Sequence, residues 1–340
     1  MFASLVLAAC GSNAPQPTGE AWRIENNAAA LRAASCPETV EFTRAEEINL
    51  NASPLDMTGL QSGTHLFGNT SAVGGWALTS DDPRFGGLSG LAVYPSGNLL
   101  AVSDQGAFVW ITIENGRPAG ARLAPLLDRE GNPFEDKDMA DSEGVTLVDG
   151  LALVSFERTH RVEAYDLEGC GAAARAARVS DVPTRVAGLG SALGSNNGVE
   201  AISYSPGAKT VLFGIETTSG RGQPFGRLDE IGVPVVSDRL EAPPEFALVG
   251  LDTPRFQPFA LFRYFSRSEG NKNIIAYVDG TTTPPNALME RVRLDFSVPV
   301  DNFEGIAVQN VDMRTQRIWI VSDDNFSDSQ RTLLMAFDLN

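Results

Sequence analysis

Three glutamates occupy the same position in a repeated pattern. Glu143-Gly144-Val145, Glu200-Ala201-Ile202 and Glu304-Gly305-Ile306 each set a carboxylate directly ahead of a small residue and an apolar run. Ser89-Gly90-Leu91 opens one more unit of this kind, and an acid follows the second apolar run in all four: Asp104, Glu157, Glu216 and Asp323. Carboxylates gathered in one place raise each other's pKa, and a divalent cation relieves the repulsion. Asn196, Asn197, Asn302 and Asn325 lie beside these acids and could add amide oxygens. A donor set rich in oxygen and poor in imidazole selects Ca²⁺, or Mg²⁺, over zinc. The candidate metal ligands are therefore Glu143, Glu200, Glu304, Asp323, Asp104 and Asn197. Glu157 and Glu216 are candidate general bases, and Arg158 and Arg221 candidate groups to steady an anion. Asp, Asn and Ser at strand ends also cap turns, and surface arginines also form salt bridges. A repeated Glu is a poorer turn cap, which favours the site.

Composition removes other chemistries. The chain of 340 residues carries 26 basic and 43 acidic residues, a net charge of −17, which repels nucleic acid and anionic lipid surfaces. With only His65 and His160, a histidine-rich zinc site is excluded, and a Ser-His-Asp hydrolase would need one of those two. No G-x-S-x-G elbow occurs. Gly188 to Gly194 is one residue off a dinucleotide fingerprint. A second acidic stretch, Asp128 to Glu143, lacks the glycine placement of an EF-hand loop and reads first as a solvated loop.

The elements that must position the acids are short strands. LSGLAVYPSGNLLAV (Leu88–Val102) turns at Pro95-Ser-Gly97, and GVTLVDGLALVS (Gly144–Ser155) turns at Asp149-Gly150, a strong hairpin signal. AISYSPGAKTVLFGI (Ala201–Ile215) turns at Pro206-Gly207, and Gly305–Ser322 forms a fourth unit. Apolar runs at Ala107–Ile113, Arg161–Leu167, Ile274–Val278 and Leu333–Leu339 read as outer strands. An antiparallel hairpin brings the start of its first strand to the end of its second. Each Glu should then stand beside the acid that closes its unit. Repeated hairpins predict an all-β β-propeller, and at about 40–50 residues per blade some six blades. First strands line a propeller's channel, so Glu143, Glu200 and Glu304 should ring one mouth.

The chain opens MFASLVLAACGSNAPQPTGE. Its apolar run is too short to span a bilayer and reads as the end of a signal peptide. Leu7-Ala8-Ala9-Cys10 resembles a bacterial lipobox, with Cys10 as the lipidated first residue of the mature protein. No basic residue precedes the run, which implies a start further upstream. The expected organisation is residues 1–9 as signal, 10–38 as lipidated Cys10 and tether, and 39–340 as propeller. The expected location is the periplasmic face of the envelope, at the outer membrane. In an oxidising compartment Cys36 and Cys170 could pair, or could be unrelated thiols.

RFGGLSGLAVYPSGNLLAVSDQG (Arg84–Gly106), DSEGVTLVDGLALVSFERTHRVEAYDL (Asp141–Leu167), NNGVEAISYSPG (Asn196–Gly207) and the run from Asn302 to Phe337 together resemble the phytase-like family, labelled "esterase-like activity of phytase". That resemblance implies a propeller outside the cytoplasm and kinship with Ca²⁺-dependent phosphoesterases, whose clustered acids hold Ca²⁺ ions against substrate phosphates. Lysine is sparse here and no dense basic cradle is present, which argues against substrates as highly phosphorylated as phytate. The expected activity is Ca²⁺-dependent hydrolysis of small phosphoesters by a monomer tethered to the membrane through Cys10. The alternatives are a lactonase or carboxylesterase at the same metal site, and a non-catalytic envelope scaffold.

Overall fold

The computed structural model describes residues 21–217, 222–279 and 287–340. Helix α1 (Ile24–Ser35) is followed by two short edge strands, β1 (Glu46–Ile48) and β2 (Leu50–Pro54), and by the long β3 (Thr70–Ser80). The first blade comprises β4 (Leu88–Val93), β5 (Leu99–Ser103), β6 (Ala107–Glu114) and β7 (Arg117–Pro125), with β1 on its outer edge. A one-turn helix, α2 (Lys137–Ala140), leads into the second blade: β8 (Ser142–Val148), β9 (Leu151–Phe156), β10 (Arg161–Asp166) and β11 (Ala177–Asp181). The third blade is β12 (Val199–Ser205), β13 (Thr210–Ile215), β14 (Gln223–Leu228) and β15 (Pro234–Leu240). The fourth is β16 (Ala247–Asp252), β17 (Phe259–Ser266), β18 (Gly270–Asp279) and β19 (Ala287–Leu294). The fifth is β20 (Phe303–Asn310), β21 (Gln316–Ser322) and β22 (Leu333–Leu339), completed by β3 and β2 from the start of the chain. Antiparallel pairing of β22 with β3 closes the ring.

The propeller therefore has five blades, not the six expected. Successive first strands start 48–57 residues apart, three of the four spacings longer than the repeat of about 40–50 assumed for six. Residues before β4 supply edge strands and the closing strand rather than a blade. The four hairpins expected from sequence are present as β4–β5, β8–β9, β12–β13 and β20–β21. At the β8–β9 turn Asp149 and Gly150 both take positive φ, 50° and 76°, the twist a two-residue hairpin needs. Strands such as β5 and β9 are buried along their whole length, because each blade packs a neighbour on both faces.

Every first strand carries a β-bulge near its start. The register skips one residue in each blade, at Ser89, Glu143, Glu200, Val249 and Glu304. The next residue is Gly90, Gly144, Ala201, Gly250 or Gly305. A Cβ on Gly90 would lie 2.6 Å from the Glu143 carbonyl, on Gly144 2.6 Å from that of Glu200, and on Gly250 2.5 Å from that of Glu304. Five blades make a narrow channel, and these glycines let neighbouring first strands approach that closely.

Residues 21–38 differ from the expected tether. Trp22, Ile24 and Leu31 are buried in one cluster with side chains of the second and third blades, including Leu153, Val162 and Phe213. Cys36 and Cys170 form a disulfide, Cα–Cα 5.6 Å, that pins the end of α1 to the second blade. Its loop of 134 residues is long, so the link removes much entropy from the unfolded chain, on the order of 4–5 kcal/mol in the chain-entropy account. Cys10 lies outside the described residues. Among the described residues no helix is long and apolar enough to cross a membrane.

Candidate functional site

The register explains how the acids meet. In each blade the pair just ahead of the bulge is followed, on the second strand, by a residue that sits beside the start of the first. Backbone bonds fix this: Asp104 N–H donates to Gly87 (2.8 Å), Glu157 to Asp141 (2.9 Å) and Asp323 to Asn302 (3.0 Å). The five equivalent positions are Asp104, Glu157, Glu216, Arg263 and Asp323. With the bulge residues they form two concentric sets at one mouth of the channel. Both sets change character in the fourth blade, where Val249 replaces an acid and Arg263 replaces another.

The closest grouping lies in the second blade. One carboxylate oxygen from each of Asp141, Glu143 and Glu157 falls within 4.8 Å of the others, close enough to share one cation. Burial raises the pKa of Glu157, and the neighbouring Glu200 carboxyl and Gly198 amide draw it part of the way back. Glu157 Oε1 and Asp104 Oδ1 are buried with no hydrogen-bond partner among the described residues. Buried oxygens without donors fit a cation.

Protonation reflects the crowding. Burial first, then Glu304, Asp141, Glu157 and Asp104, push Glu143 well above the usual carboxylate range. Burial, then Glu143, Glu216, Glu157 and Glu304, do the same to Glu200. Burial raises Glu304 to about 7, held back by Arg263 and Asn302. Asp323 is pushed up to about 8 by burial and by Glu304. Asp104 is raised by burial against the pull of Lys137.

Three cations attend the mouth. Lys137, on α2, donates to Asp104 and to Asp141 at 2.7 Å. Its helix starts at Asp136, whose carboxylate caps the Asp138 amide at 3.0 Å. Arg158, left-handed at φ 52°, donates to Asp141 and to Asp138 at 3.2 Å. Arg263 donates to Glu216 at 2.8 Å, to Asn302 at 2.6 Å and to Glu304. Burial pulls the pKa of Arg263 down, but Glu304, Glu216 and Glu200 together outweigh it and hold the charge. Beside Arg263 opens a cavity of about 670 Å³, shared with Glu216 and Asn302.

Of the residues singled out from sequence, Glu143, Glu200, Glu304, Asp323, Asp104, Glu157, Glu216 and Arg158 stand at this mouth. Asn197 is exposed on the loop before β12 and turns its amide oxygen toward Gly194. Arg221 lies outside the described residues. Three participants were missed. Asp141 was read with the solvated acidic loop, yet it is only 3% exposed. Its signal was its place two residues ahead of Glu143. Lys137 was unremarkable in sequence, since only α2 turns it inward. Arg263 stands outside the candidate set because its blade opens with Val249-Gly250-Leu251, which lacks the acid that marks the repeated units. Glu130, Glu135, Asp136 and Asp138 in the acidic stretch are exposed, as expected.

Residues 83–230 match the phytase-like family model. Its description is "Esterase-like activity of phytase", and the matched stretch runs from the start of the first blade into the third. The phytase-like stretch contains Asp104, Asp141, Glu143, Glu157, Glu200 and Glu216, while Arg263, Glu304 and Asp323 lie beyond it. A search of curated proteins finds no match. Among solved structures, the chain is similar to the PQQ-bound aldose sugar dehydrogenase of Streptomyces coelicolor (13% identity, 80% of this chain and 99% of that one, TM-score 0.44). It is also similar to the glutaminyl cyclase of Myxococcus xanthus (12% identity, 80% and 97%, TM-score 0.45).

Proposed function

We propose that the acidic mouth binds a divalent cation, Ca²⁺ in the first instance, and hydrolyses phosphate esters. The observation that carries this is the trio Asp141, Glu143 and Glu157, with a buried oxygen of Glu157 left without a donor. Such a cation would polarise a phosphoryl oxygen and lower the pKa of a bound water. The chain's own residues divide the remaining tasks. Lys137 and Arg158 hold Asp141 in place. Glu200, with its pKa raised by burial and by Glu143, can hold the proton that a water surrenders. Both arginines are paired with carboxylates, Arg158 with Asp141 and Asp138 and Arg263 with Glu216 and Glu304; Arg263 also lines an open cavity, and so is the candidate to steady an anion. The disulfide supports an oxidising compartment, in keeping with a lipoprotein anchored through Cys10 at the periplasmic face of the envelope.

The test is phosphate release from a panel of phosphomonoesters, with Ca²⁺ and then with chelator. Chelator-sensitive release is expected, and Glu143→Gln should weaken Ca²⁺ binding by about 10–100-fold in calorimetry, in the range seen when a metal site loses a supporting group. Folded protein that releases no phosphate with Ca²⁺ present sinks the reading. Ca²⁺-dependent opening of a lactone or carboxylester by that same protein would move the chemistry to carbon esters.

A further inference from the structure

We infer that the cavity beside Arg263 selects phosphomonoesters of aromatic alcohols, an inference that rests on the hydrolase reading above. Arg263 and Phe265 are two residues apart on β17, so their side chains leave the same face of the strand. The offset is roughly 7 Å at the rise of an extended strand, the reach from a phosphate to the ring of a benzyl or aryl group. Phe265 is 64% exposed and Phe296, across the same cavity, 81% exposed. Two bare phenylalanines lining one cavity with a half-buried arginine make a pocket with a cationic end and an aromatic end. The rest of the rim favours a ligand with a single phosphate group. Glu216, Glu245 and Asp301 line the cavity, and Arg263 is its sole basic residue among the described ones. A second phosphate would meet carboxylates there, whereas an uncharged ring meets Phe265, Phe296 and Val300.

The experiment compares kcat/KM for benzyl phosphate and methyl phosphate, whose leaving alcohols are alike in basicity, so a difference reports the pocket rather than the leaving group. The ratio should favour benzyl phosphate by about tenfold or more, the worth of seating one ring. In Phe265→Ala/Phe296→Ala, whose side chains are exposed and whose loss leaves the core intact, the ratio should fall toward one. A ratio near one in the natural protein, or one that the double variant does not move, overturns the inference while leaving the hydrolase reading standing. Binding of non-hydrolysable benzylphosphonate in the presence of Ca²⁺ separates the two readings. Binding that weakens about tenfold in the double variant supports the pocket even if no ester is turned over, and absent or unaltered binding overturns it.

Discussion

The second and fourth blades share a backbone and differ in chemistry. Each first strand bulges at its second or third residue, and a glycine follows the bulge. Gly144 lets the second blade approach Glu200, and Gly250 lets the fourth approach Glu304, by the same margin. On that common frame the second blade carries Glu143 and Glu157, and the fourth carries Val249 and Arg263. Val249 is buried against Phe303 and Ile306, so the fourth blade closes its part of the channel with apolar packing. The difference teaches that strand pairing and glycine set where a side chain stands. Residue identity alone then decides whether a blade contributes a metal ligand or a counter-charge.

The strongest way to break the comparison is to remove that counter-charge. Arg263→Met leaves Glu216 and Glu304 without their shared partner. Breaking a buried ion pair from one side costs about 3–5 kcal/mol, so the denaturation midpoint should fall sharply at neutral pH. Saturating Ca²⁺ should restore part of the loss, and a variant as stable as the natural protein would show that Arg263 neutralises nothing.

A smaller and symmetrical effect is expected from the shared frame. Gly144→Ala and Gly250→Ala each drive a methyl group into a neighbouring carbonyl at 2.6 and 2.5 Å. Both should destabilise by about 1–3 kcal/mol, as overpacking does. Urea denaturation of the two checks this, and a marked inequality would show that the blades are not equivalent in backbone.

The smallest effect is a pH dependence that the cation should erase. Glu304 and Asp323 titrate at about 7 and about 8 in the folded protein, against 4.5 and 3.8 when unperturbed. The folded state therefore binds these protons more tightly than the unfolded state. Stability is greatest below the unperturbed values and is lost as pH rises through about 7 to 8. The metal-free protein should melt several degrees lower at pH 8 than at pH 5, with Ca²⁺ raising the melting temperature more at pH 8. A metal-free protein that gains stability over that interval would contradict the crowding of these acids.

Much of this was legible in the chain. Alternation, Asp149-Gly150 and Pro-Ser-Gly97 announced hairpins, because turn chemistry and strand period are local. Glu143, Glu200 and Glu304 could be placed together because a repeated unit carries each to the same station. Asp141 and Lys137 escaped that logic. Their approach depends on α2 folding the acidic loop back over the mouth, a contact with no period to betray it.

Local pattern by itself determined the all-β class, the four acidic hairpins and the pairing of each Glu with the acid closing its unit, since these follow from backbone period and antiparallel geometry. Only the tertiary structure decided that the ring closes at five blades with β3 as its last strand, and that Cys36 meets Cys170. It alone set Arg263 as the one basic member of the five positions closing the second strands. Those outcomes rest on closure of the whole ring, where the curvature accumulated by every blade fixes which distant residues become neighbours.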